Sequence, residues 1–183
     1  MKKLASILVL VALAASLNGQ RAKKSMPPTS GLNPLRGYVN ITEIGGGPGL
    51  AVTDAPYAKY YFGLTTVNGY QINKYIIAGI GVGVQFYNEG TLAPFYVSGR
   101  FTYPIENSRI SPYANGDIGI LLNFKSSDGH NFSFFNPVVG ARYTLKSTMA
   151  LDLGIGLFSQ MNSEIGRDSF LNFKFGLVFI PKR

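Results

Sequence analysis

From Arg36 onward, apolar and polar residues alternate with a period of two in one segment after another. The last segment is the clearest: Leu171, Phe173, Phe175, Leu177 and Phe179 share one side, and Asn172, Lys174 and Gly176 the other. Upstream, Leu151, Leu153, Ile155 and Leu157 oppose Asp152, Gly154 and Gly156. Alternation of this kind is the mark of strands that present two faces to different environments. The pattern predicts eight strands, at about 36–45, 60–72, 75–87, 92–104, 110–122, 132–145, 149–160 and 169–180. Each is near the roughly 9–11 residues that a tilted membrane-spanning strand requires.

The stretch AGIGVGVQF, Ala78 to Phe86, has three glycines spaced nearly as in a dinucleotide-binding turn. Strand parity explains it without a nucleotide: Ile76, Ala78, Ile80, Val82, Val84 and Phe86 face lipid, while Gly79, Gly81, Gly83 and Gln85 face inward. No helix follows and no βαβ unit surrounds it, as dinucleotide binding would need. GGGPG at Gly45 to Gly49 lacks the Lys-Ser/Thr of a phosphate loop and reads as a turn.

Composition narrows the setting. Charged residues make up 14% of the chain and apolar ones 46%, with 22 Gly, 13 Phe and 11 Tyr among 183 residues, too few charges for an ordinary soluble surface. The N-terminus, MKKLASILVLVALAASLNGQ, has the order of a secretory signal peptide over 1–19: Lys2 and Lys3, an apolar run from Leu4 to Ala15, then small residues. Cleavage after Ser16 and cleavage after Gly19 both fit; a retained N-terminal anchor is the alternative. Residues 20–35 read as a basic, Pro-rich unstructured segment, and 36–183 as one barrel domain. No later run of 18 apolar residues offers a transmembrane helix. In lipid every backbone polar group must be paired within the protein, so an exported chain of this kind is expected to close its strands into a barrel. A soluble β-sandwich would share the alternation but not two belts of outward aromatics. The expected belts are Tyr60, Phe62, Phe86 and Phe95 toward the outer edge, and Tyr70, Tyr103, Tyr143 and Phe179 toward the inner one.

Connection lengths give an orientation, because periplasmic turns are short and extracellular loops longer. Inner turns are expected near 73–74, 105–109 and 146–148, and outer loops at 46–59, 88–91, 123–131 and 161–168. Charge then divides unevenly. The formal +8 becomes +6 on losing Lys2 and Lys3 with the signal peptide. The inner side would carry Arg21, Lys23, Lys24, Arg36, Lys74, Arg109, Lys146, Lys182 and Arg183 against Glu106. That basic rim suits anionic headgroups, peptidoglycan or a periplasmic partner. The outer side would carry Glu43, Asp54, Glu89, Asp128, Glu164 and Asp168 against Lys59, Lys125 and Arg167, an acidic rim suited to divalent cations near lipopolysaccharide. Nucleic acid is not an expected partner for an exported barrel.

Five charges have inward parity: Arg100, Asp117, Arg142, Asp152 and Lys174. The simple register that sets Leu145 opposite Met149 also pairs Arg142 with Asp152. An eight-stranded barrel is barely wide enough for its own side chains, so these charges read as a hydrogen-bonded plug, with a narrow pore as the alternative. Enzyme chemistry is not expected. The chain has no cysteine and one histidine, His130, so neither a His/Cys metal site nor a cofactor is expected. Ser126 or Ser127 with Asp128 and His130 spells a triad, but residues crowded into one loop seldom reach triad geometry.

With the alternating strands, the signal peptide and the terminal strand FLNFKFGLVF, the chain resembles small outer-membrane β-barrel proteins of the OmpA-barrel and OmpX type. That resemblance implies insertion into the Gram-negative outer membrane by the barrel-assembly machinery, with Lys174, Gly176 and Phe179 as part of the C-terminal assembly signal. The chain departs from the pattern by running on through IPKR. Members serve as envelope-stabilising proteins, adhesins, lipid enzymes or accessory subunits of assembly and secretion complexes. Two roles follow for this chain, a free-standing structural barrel or an accessory subunit docked on other outer-membrane or periplasmic proteins.

Overall fold

The computed structural model describes residues 36–50, 57–123, 131–162 and 166–181. Eight antiparallel strands follow one another in chain order: β1 (Gly37–Pro48), β2 (Tyr60–Gln71), β3 (Ile76–Tyr87), β4 (Thr91–Thr102), β5 (Ile110–Leu122), β6 (Phe132–Lys146), β7 (Met149–Asn162) and β8 (Gly166–Phe179). Each pairs with its sequence neighbours, and β8 pairs with β1, closing the barrel. No strand edge is left for another chain to extend.

Register defines the barrel's shape. A path that starts at Val39 and crosses partner by partner through Gly69, Gly79, Ser98 and Asp117 to Asn136, then follows the β6–β7 register set by Phe135↔Ser159 and Val138↔Gly156 to Phe158, reaches Phe170, whose partner on β1 is Gly49. That end point lies ten residues beyond the start, and such a stagger in eight strands tilts them by about 40° from the barrel axis. The interior is correspondingly narrow. Gly81 shows what this demands: a Cβ there would lie 2.2 Å from the ring of Tyr96, its partner on β4. The glycines of β3 hold no phosphate and instead admit side chains from the next strand.

The two faces have opposite composition. Ile80, Val82, Phe86, Phe95, Val97, Ile118, Val139, Leu153, Phe173 and Phe175 are all exposed on the outward face. Inward positions are buried whether apolar or charged.

Three expectations need correction. β1 continues to Pro48, β7 to Asn162, and β8 begins at Gly166, so the connections at one end shrink to 49–59, 88–90, 123–131 and 163–165. Only the first and third exceed 103–109, the longest turn at the opposite end. The cause is pairing that persists to Asn162↔Gly166, where Gly166 takes a left-handed φ of 104° that only glycine adopts freely. Second, Arg142 does face Asp152, but Met149 faces Lys146 instead of Leu145, because an irregularity between Thr144 and Lys146 absorbs one residue beside the turn. Third, Glu43 and Asp168 belong to no acidic rim. Both are buried, Glu43 to 1% exposure, because β1 and β8 extend past them with inward parity.

Candidate functional site: the barrel interior

Side chains fill the lumen in layers. The middle layer is a chain of six charges alternating in sign and drawn from six strands. Arg142 on β6 grips Asp152 on β7 through two parallel bonds, Nε to Oδ1 at 2.7 Å and Nη2 to Oδ2 at 2.9 Å. Arg100 on β4 reaches across to both Asp152 and Glu43 on β1. Lys174 on β8 then bridges Glu43 at 2.9 Å and Asp117 on β5 at 2.7 Å. Three cations meet three carboxylates, and the layer is formally neutral. The five inward charges expected from parity are all buried here, and Glu43 is the sixth.

Amides and an aromatic ring add further contacts to these charges. Asn115 donates to Asp117 at 3.0 Å and Asn136 donates to Asp117 at 3.1 Å, while Asn172 donates to Asn136 at 2.8 Å. The Arg100 guanidinium also lies 4.9 Å from the ring centre of Tyr113. Register alone predicts the neighbouring-strand contact between Arg142 and Asp152. It says nothing about Arg100 with Asp152 or Lys174 with Asp117, which span the barrel between non-adjacent strands.

Toward the end with the longer connections the lumen becomes aromatic. Tyr61 lies 4.7 Å from Phe158 and 5.3 Å from Phe170 between ring centres, and Phe134 lies 5.2 Å from Phe158. Tyr57 folds over this cluster, 5.6 Å from Tyr87 and 5.9 Å from Phe132, and Gln160 Nε2 donates to its backbone oxygen at 3.1 Å. Between the aromatic and charged layers lies a cavity of about 20 Å³ lined by Thr65, Gln85, Tyr96, Asp117, Asn136 and Lys174. That is room on the scale of a single water molecule. At the other end Val39, Ile41, Val67, Ala150 and Val178 pack as a third, aliphatic layer.

Of the residues expected to form aromatic belts, Tyr60, Phe62, Phe86 and Phe95 are exposed near one rim, and Tyr70, Tyr103 and Tyr143 near the other; Phe179 is half-buried. At the second rim Arg36, Lys74, Arg109 and Lys146 are exposed together with Glu106. Lys74 lies 4.8 Å from the ring centre of Tyr75. Ser126, Ser127, Asp128 and His130 lie outside the described residues, as do Asp54, Lys125, Glu164, Lys182, Arg183 and the whole N-terminal segment 1–35. Among the described residues no group of three His, Cys, Asp or Glu is placed to hold a metal.

No protein-family model matches the sequence, and no curated protein matches it. Solved structures do. Neisserial surface protein A superposes with a TM-score of 0.60 at 13% identity, over 78% of this chain and 95% of that one. The N-terminal β-barrel domain of Pseudomonas aeruginosa OprF gives 0.51 at 13% identity, over 79% of this chain and all of that one. At such identities the likeness is one of architecture. The chain resembles the small outer-membrane barrels and has their fold, a closed antiparallel barrel of eight strands.

Proposed function

We propose that this protein is an integral barrel of the Gram-negative outer membrane, non-enzymatic, and structural in role. The observation that carries the reading is the pairing of an apolar outward face with a lumen closed by a neutral ion network. Apolar residues on the outside of every strand suit hydrocarbon, and exposed rings near both rims suit its interfaces. A lumen stoppered by aromatic rings and six mutually paired charges stiffens the wall and blocks water.

In this reading residues 1–19 direct export. Lys174, Gly176 and Phe179 contribute to recognition by the assembly machinery, and the rim of Arg36, Lys74, Arg109 and Lys146 faces the periplasm against anionic headgroups. Lipopolysaccharide surrounds the opposite rim. An accessory role in an assembly or secretion complex is the second reading, favoured by a strip of outward polar residues on β1 and β2.

Reconstitution in planar bilayers tests the structural reading. Recordings at the lipid background are expected; steady unitary conductance would replace the plug with a pore.

A further inference from the structure

The cavity of about 20 Å³ between the aromatic and charged layers is bounded by more hydrogen-bond donors than the surrounding protein accepts. Tyr96 is 4% exposed, and its hydroxyl is buried without a partner. Gln85 Oε1 accepts from Tyr87 at 2.8 Å, which leaves both N–H groups of Nε2 without an acceptor among the described residues. Lys174 Nζ donates to Glu43 and Asp117, and its third N–H has no acceptor among them either. Thr65, on the same wall, makes no side-chain hydrogen bond among the described residues.

The acceptors nearby are already engaged. Asp117 takes bonds from Asn115, Asn136 and Lys174, and Asn136 Oδ1 takes one from Asn172. One acceptor is left over, Asn172 Oδ1, buried and without a donor. It lies beside Gly45, which lines the cavity: a Cβ added to Gly45 would come within 3.4 Å of it. Unpaired polar groups are costly in a protein interior, and ordered water answers them where the space is polar, large enough and offers two to four partners. This cavity meets all three conditions.

We propose that the cavity is a binding site for one water molecule, held by Lys174, Gln85 and Tyr96 as a fixed part of the lumen. Water supplies what the wall lacks: lone pairs for the N–H groups of Lys174 and Gln85, and hydrogens for an oxygen such as Asn172 Oδ1. Charge argues against an ion. The three cations and three carboxylates of the adjoining layer balance one another. A trapped halide would therefore be a buried charge in excess, and a metal cation would meet the Lys174 ammonium. One water opens no path through the barrel, because Tyr61, Phe134 and Phe158 pack over the cavity on its aromatic side. It joins the aromatic layer to the ion layer.

The test is a crystal structure of the full chain in detergent, at a resolution that locates waters, with Gly45→Ala as the displacing variant. The new methyl would meet Asn172 Oδ1 and Lys174 Cγ at 3.4 Å, an ordinary contact, so it fits without shifting the wall. The wild type is expected to show one peak in the cavity within hydrogen-bond distance of Tyr96 Oη and of Lys174 Nζ or Gln85 Nε2. In Gly45→Ala that peak is expected to be lost while the barrel is unchanged. If the variant does not fold, the wild-type crystal decides alone. No peak in the wild type, or Tyr96 Oη bonded directly to Thr65 or another protein group, overturns the proposal. So does an anomalous bromide signal in the cavity after a bromide soak, which would make it a halide site, or a peak that persists unmoved beside the Gly45→Ala methyl.

Discussion

Thr42 and Glu43 are neighbours on β1, and their environments are opposite. Glu43 buries its carboxylate between Arg100 and Lys174, whereas Thr42 turns its hydroxyl outward beside Asn40. In the lumen, the six charges are answered by other strands of the same chain. On the outward strip, the bonds stay between two adjacent strands and leave an amide donor over. The charges inside this barrel are therefore explained by the fold.

The most forceful way to break that contrast is to remove a lumen charge. Arg100→Leu leaves Glu43 with Lys174 and Asp152 with Arg142, stripping one partner from each, and breaking such a buried pairing costs about 3–5 kcal/mol. Urea titration of the refolded barrel in detergent is expected to show a lowered midpoint at unchanged slope. A charge on the outward face attacks from the other side. Phe173→Lys is expected to cost about 2–4 kcal/mol if that position meets the bilayer centre, and much less toward an interface, read from the same titration in lipid vesicles. Gly81→Val tests the packing of the narrow lumen. Its added side chain collides with the Tyr96 ring, and overpacking of that kind costs about 1–3 kcal/mol. The smallest effect expected is the coupling of Arg142 with Asp152. A double-mutant cycle should give about 0.5–3 kcal/mol, and a value near zero would remove that bidentate pair from the stabilising contacts.

The barrel is legible in the sequence because its period-two pattern survives from β3 to β8, and the inward charges of those strands follow from parity. β1 is harder for a physical reason. Its outward side reads Tyr38, Asn40, Thr42 and Ile44 and its inward side Val39, Ile41 and Glu43, so polarity does not separate the faces. The expectation of Glu43 on a rim comes from that ambiguity. Two signals point inward: its shared parity with Gly45 and Gly47, and the unbalanced three-to-two charge count that one more carboxylate closes. Asp168 is misassigned to a loop because nothing in SEIGRDS reveals that β7 and β8 stay paired as far as Asn162 and Gly166. The aromatic layer is hidden because Tyr61, Tyr87, Tyr96, Phe134, Phe158 and Phe170 lie on inward parity, whereas belt anchoring accounts only for outward rings. Contacts across the lumen depend on strand stagger, which no single pair of strands specifies.

The central claim is that one side of each strand meets hydrocarbon while the other closes a packed lumen. The most direct measurement is a spin-label scan along β8, one cysteine at a time from Leu171 to Phe179, on the protein reconstituted in lipid vesicles. Labels at Phe173, Phe175 and Leu177 are expected to collide freely with dissolved oxygen and hardly at all with a water-soluble nickel chelate, while those at Asn172, Lys174 and Gly176 are shielded from both. High nickel accessibility at Phe173 and Phe175 would place that face in water and contradict the account.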